Sequence, residues 1–193
     1  MTENRNLTRE DILRLLTEVG QILMQRGKRA TIYVVGGAAM AIQYDARRVT
    51  RDVDAITRGG AEEFWDAAKV VGQRHDLGPE WVNSHAAAFL SSEPDDDGML
   101  LSLAGLEVRN GSAEHLLAMK LRSLRARDMD DLEVLFGVLG ISDPQQAADI
   151  HDRLFDELSM GYGGPEESLY AARQVFKRAA AQGRPIGGQP DRP

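Results

Sequence analysis

The chain has 193 residues, of which 42% are hydrophobic and 27% charged, with no cysteine and a formal net charge of −7. That size and balance suit a soluble globular protein with one domain, or one domain plus a small helical lobe. The missing cysteine excludes disulfides, thiol catalysis and Cys-built zinc sites and suits the cytoplasm, while the acidic balance argues against a protein that coats nucleic acid, though not against an RNA end as substrate.

No run of about 18 apolar residues predicts a membrane span. The opening Met-Thr-Glu-Asn-Arg-Asn has no apolar signal core. The first element is a helix over about 8–27. Thr8 is its N-cap, Asp11 stands in capping-box position, and Ile12, Leu15, Leu16, Val19 and Leu23 form its apolar stripe. A β-branched run predicts a strand over 30–35. Gly36 and Gly37 then open an Ala/Met-rich helix over about 38–44.

A second strand is expected over 52–57, with Asp52 and Asp54 alternating with Val53 and Ala55. On a strand, residues i and i+2 point to the same face, so the two carboxylates project side by side. They repel each other unless a cation lies between them, and Mg²⁺ is a suitable oxygen-seeking ion. A Gly-Gly turn at a helix start lets a phosphate approach backbone N–H groups without obstruction by a Cβ. A phosphate cradle beside metal-binding carboxylates is the minimum equipment for handling a nucleoside triphosphate.

Gly59 and Gly60 predict a turn, followed by a helix over 61–74 and a further helix over about 79–89. The acidic triplet Asp95-Asp96-Asp97 is flanked by Pro94 and Gly98 and reads as a solvated loop. Two strands follow, about 99–103 and 106–108, joined at Ala104-Gly105. Glu107 lies in an apolar-acid-apolar context and reads from its neighbours as an edge-strand glutamate facing water.

Ser112 caps the next helix, in which Lys120 falls on the stripe of Leu117 and Leu124. A lysine there must reach solvent or find an anionic partner. Asp128 and Asp131 are i, i+3 neighbours that can orient Lys120 or Arg127, act as a base or cap the helix. Asp143-Pro144 starts an amphipathic helix that includes Leu154 and Leu158, and Pro165 starts the last one. His75, His85, His115 and His151 are scattered without ligand or triad spacing.

Gly36-Gly37, a short helix and then Asp52-x-Asp54 on a strand resemble the signature of the nucleotidyltransferase superfamily, which has a polymerase-β-like fold. Arg48-x-Thr50-x-Asp52-x-Asp54, Leu116-Leu117-Ala118-Met119-Lys120 and Arg127-Asp128-x-x-Asp131-Leu132 are similar to motifs of its AbiEii/MenT-like toxin group. The resemblance covers about residues 30–135. Glycine stands at 37, where several members carry serine, which leaves any phosphate contact there to the backbone.

The resemblance implies an α/β (α+β) fold: a small mixed sheet flanked by helices, with a helical C-terminal lobe. It implies a nucleotidyltransferase core over 1–110, a lobe over 111–182 that completes the active site, and a disordered tail over 183–193. It implies that Asp52 and Asp54 bind Mg²⁺, that Gly36 and Gly37 seat the phosphates of an NTP, and that Lys120 and Asp128 are catalytic. Arg48, Thr50, Arg127 and Asp131 would bind or brace substrate, and Glu107 fits the strand context in which the superfamily usually carries a third metal-binding carboxylate. The implied acceptor is RNA, notably a tRNA 3′ end, in a cytoplasmic type IV toxin–antitoxin system with an antitoxin partner. Two alternatives remain open: a small-molecule (antibiotic) nucleotidyltransferase, and a non-catalytic binding protein of the same fold.

Overall fold

A computed structural model describes residues 6–45, 47–157, 159, 162–184 and 186. The chain is mixed α/β and divides into two compact units. One comprises Met1–Ala87 with Asp97–Gly111, and the other Ala88–Asp96 with Ser112–Pro193.

The first unit is built on a five-stranded mixed sheet. Its strands are β1 (Ala30–Val35), β2 (Val53–Gly59), β3 (Val82–Asn83), β4 (Leu100–Leu103) and β5 (Leu106–Asn110), in the order β3-β2-β1-β5-β4. β1 runs antiparallel to β2 and parallel to β5. β2 is parallel to β3, and β4 is antiparallel to β5. Ile32, Val34, Val53, Ala55, Leu106 and Val108 are buried. On β2 and β5 they alternate with more exposed neighbours, whereas the central β1 is buried on both faces, with Tyr33 and Val35 covered as well.

Helices α1 (Arg9–Gln25) and α3 (Ala61–Arg74) pack on each other and on this sheet. α1 begins as its sequence predicts: Thr8 and Asp11 form a reciprocal capping box, and its apolar stripe is buried. Between β1 and β2 the chain forms α2 (Gly36–Ala39), which continues as a π-helical turn over Met40–Tyr44. The Asn110 amide steadies this segment by donating to the Ala39 carbonyl at 3.2 Å and to Gln43 Oε1 at 2.9 Å.

Three expectations fail. The helix expected over 79–89 is replaced by β3 and a 3₁₀ turn, His85–Phe89. Trp81, Val82 and Asn83 are buried in succession, which one face of a surface helix cannot achieve. Val53 donates its N–H to the Trp81 carbonyl at 2.8 Å, which draws the segment onto the sheet edge. Glu107 is exposed, but its strand is internal, between β1 and β4. Asp95 is not solvated with its neighbours: its side chain is 7% exposed and faces His115, and it accepts the Ser112 N–H at 2.8 Å.

The second unit is helical, with α4 (Ala113–Ser123), α5 (Asp128–Leu139), α6 (Pro144–Leu154) and α7 (Pro165–Ala181). Ser112 caps α4, while an Asp143–Gln146 capping box and Pro144 start α6. α4 packs against α5 and α6, and α6 against α7. Leu158 and most of the expected tail, 185 and 187–193, lie outside the described residues. Among the described residues no helix is long and apolar enough to cross a membrane.

Candidate functional site

β1 delivers the chain in extended form at Val35, and the backbone then turns through Gly36 at φ +67°. This left-handed conformation costs an ordinary residue roughly 1–2 kcal/mol. Space imposes a second demand. A Cβ on Gly36 would lie 2.7 Å from Asp54 Oδ2, and one on Gly37 would lie 2.8 Å from Thr50 Oγ1 and 3.7 Å from an Arg48 guanidinium nitrogen. Asp54, Thr50 and Arg48 therefore converge on the glycine pair. Among the described residues no side chain caps the N-terminus of α2.

The register explains how Asp54 arrives there. On β2 it stands opposite Val35 of β1, the residue immediately before the glycines. Asp52 directly precedes the strand. Val53 and Ala55 are fully buried, while Asp52 and Asp54 are half-buried, as the alternation predicts. The Thr50 hydroxyl donates to Asp52 Oδ1 at 3.4 Å. Thr50 is itself held by a backbone pair with Leu7: Leu7 N–H to Thr50 O at 2.6 Å, and Thr50 N–H to Leu7 O at 3.1 Å. Arg48 donates to the neighbouring Val49 carbonyl.

Sequence reasoning missed Asn83. It pairs with Asp54 across β2 and β3 and is 4% exposed. Its amide donates to Asp52 Oδ2 at 3.2 Å. The signal was hidden because the segment reads as helical, and only the strand pairing brings Asn83 beside the aspartates.

Glu107 is not part of this group. It pairs with Thr31, whereas Asp54 pairs with Val35. Those partners are four residues apart on β1, about 13 Å at the usual strand rise. Among the described residues no group of three or more His, Asp or Glu side chains is placed to hold a metal. Two carboxylates nevertheless fit Mg²⁺, a hard cation that commonly takes one or two carboxylates and completes its shell with water and phosphate oxygens. Gly36 and Gly37, both partly exposed beside Asp54, put no side chain of their own between the backbone N–H groups and such a phosphate.

A separate cluster lies in the helical unit. Lys120 is 6% exposed. Its ammonium donates to Asp131 Oδ2 at 2.7 Å and to Asp128 Oδ1 at 3.1 Å. Asp128 Oδ2 also accepts from the Ser123 hydroxyl at 2.7 Å and the Arg125 N–H at 3.3 Å. Burial alone would raise the Asp128 pKa. The Lys120 charge and the Ser123, Lys120 and Arg125 hydrogen bonds outweigh it, leaving the carboxyl below its usual range. Such a carboxylate is a weak base and a good holder of a cation. Arg127, at the start of α5, is exposed.

A family model described as "Nucleotidyltransferase of unknown function (DUF6036)" matches residues 10–142. No curated protein and no solved structure matches the chain.

Proposed function

The chain belongs to that family of nucleotidyltransferases of unknown function, and on this premise we propose that it is a Mg²⁺-dependent enzyme moving a nucleoside monophosphate from an NTP to an acceptor hydroxyl. The observation that carries the reading is the convergence of Asp54, Thr50 and Arg48 on the Gly36-Gly37 turn. In the reaction the acceptor oxygen bonds to the α-phosphorus, the bond from that phosphorus to the bridging oxygen breaks, pyrophosphate leaves, and the hydroxyl proton passes to solvent or a base. Asp52 and Asp54 would hold Mg²⁺, which when bound supplies charge neutralisation at the phosphates and acidifies the attacking hydroxyl.

The glycine turn offers backbone N–H groups to the phosphates, and Arg48 and Thr50 brace or contact them. The cationic role of Lys120, the supporting roles of Asp128 and Asp131, and the substrate contact of Arg127 rest on the motif resemblance. The same resemblance to the AbiEii/MenT-like group supports an RNA acceptor, a tRNA 3′ end, in a cytoplasmic toxin paired with an antitoxin protein. The net charge of −7 favours the second reading, a small antibiotic as acceptor, but specific motifs outweigh bulk charge.

The test is incubation with labelled NTPs, Mg²⁺ and total tRNA, with an aminoglycoside or lincosamide in a parallel reaction. Labelled tRNA supports the first reading, and a labelled antibiotic selects the second. A protein that labels nothing and binds no nucleotide refutes both. Full labelling by the Asp52→Ala variant refutes the role given to the aspartates.

A further inference from the structure

Asp52 is held at both oxygens by neutral donors: the Thr50 hydroxyl on Oδ1 and the Asn83 amide on Oδ2. Asn83 is the more tightly determined of the two. Its Nδ2 donates to Asp52 and also lies 3.4 Å from the Glu80 carbonyl. Its Oδ1 accepts the His85 N–H at 2.9 Å. The His85 contact fixes which way the amide faces, because the reverse orientation would set two donors against each other. A side chain 4% exposed and bonded at both ends is held in orientation and presents its donor to the Asp52 carboxylate from a fixed place.

The neutrality of this partner matters. A lysine or arginine at position 83 would orient Asp52 equally well but would cancel its charge. An amide fixes the rotamer and leaves the full negative charge beside that of Asp54, where a divalent cation can use both. Partners behind a metal-binding carboxylate typically contribute 10–100-fold in metal affinity.

From this geometry we infer that Asn83 is the positioning residue of Asp52, holding its carboxylate ready for the nucleotide's cation without neutralising it. The hydrogen bond stands on geometry alone, and the purpose given to it rests on the nucleotidyltransfer reading.

Two measurements test the inference. The first follows the Asn83 side-chain amide resonances in ¹⁵N-labelled protein. The Asp52→Asn variant replaces the charged acceptor with a neutral one, so these resonances move upfield. If they do not move, the inference is overturned. The second measures Mn²⁺ affinity by electron paramagnetic resonance with a non-hydrolysable NTP analogue. The Asn83→Leu variant, checked for folding by circular dichroism, loses about tenfold in affinity. The Asn83→His variant, whose ring Nδ1–H replaces the amide donor, recovers most of it. Parental affinity in a folded Asn83→Leu variant overturns the inference. If Asp52→Asn moves the amide resonances yet the parent protein binds no Mn²⁺, the nucleotidyltransfer reading is overturned, and with it the purpose assigned to Asn83.

Discussion

The Lys120 ammonium lies 2.7 Å from Asp131 Oδ2, and the two side chains are 7% and 3% exposed. Asp128 is the second carboxylate on the same ammonium, at 3.1 Å. One cation therefore serves two buried anions. This asymmetry ranks the variants. Lys120→Met removes the cation that both buried carboxylates share and is expected to cost about 3–5 kcal/mol, the usual penalty for breaking a buried ion pair from one side. Asp131→Asn leaves a balanced Lys120–Asp128 pair and costs less. Urea unfolding of both variants checks the order. The reverse order would mean that the Lys120–Asp128 contact alone does not hold the lysine. Activity lost in a Lys120 variant is therefore informative only beside its unfolding curve.

The same cluster sets a pH dependence. The Asp128 pKa is lowered in the folded protein, by its partners and against its burial. An unfolded aspartate titrates near 3.9. Below that pH the unfolded chain binds a proton that the folded carboxylate still refuses, so stability falls as pH drops. The contribution is full above about pH 5 and fades through the acid range toward the lowered folded value. Melting temperatures from pH 7 to pH 3 should fall more steeply in the parent than in Asp128→Asn. Parallel curves would remove Asp128 as the source.

How much of this was legible in the sequence depends on how local the cause was. The capping box of Thr8 and Asp11, the strand of Ala30 to Val35 and the helix start at Ser112 follow from neighbours within four residues, and all three stand. The alternation at Asp52 and Asp54 is equally local. Lys120 was recognisable as a lysine in need of an anion, and the anions proved to be Asp128 and Asp131. Asn83 was not legible. Its strand has two residues and exists because β2 lies beside it, so no local period announces it. Asp95 was misread for a similar reason: its acidic, Pro/Gly-flanked context suggests water, whereas its partners Ser112 and His115 come from further along the chain.

The two glycines of the turn should fail differently. Gly36→Ala meets both a positive φ and the Asp54 carboxylate. It is expected to cost at least the roughly 1–2 kcal/mol of the left-handed backbone and to displace Asp54. Gly37→Ala meets no positive-φ penalty, but its Cβ would press on the Thr50 hydroxyl at 2.8 Å and Thr50 Cβ at 3.2 Å and touch the Arg48 guanidinium at 3.7 Å. Its effect on stability should be smaller, with a weakened nucleotide affinity as Thr50 shifts. Melting curves and nucleotide titrations on both variants check this. A Gly36→Ala protein as stable as the parent would contradict the turn geometry.

Arg122 presents the opposite situation from Lys120. Its guanidinium lies over the Phe155 ring at 4.8 Å and the Phe89 ring at 5.8 Å. Nε and both terminal nitrogens are sealed from water and, among the described residues, have no hydrogen-bond partner. Burial pushes its pKa down. Each ring offers about 0.5–2 kcal/mol of cation–π attraction, but a guanidinium carries five N–H donors around its edge, which ring faces do not satisfy. The effective cost of burying one unpaired ion is several kcal/mol, so the desolvation penalty should outweigh the rings. Arg122→Leu, which keeps the apolar contact with Phe155 and removes the charge, is therefore expected to be neutral or to stabilise by about 1–2 kcal/mol. At a few degrees per kcal/mol for a chain of this length, the melting temperature should hold or rise. A fall of several degrees would mean that the contacts with the two rings, and not desolvation, dominate the energy of this side chain.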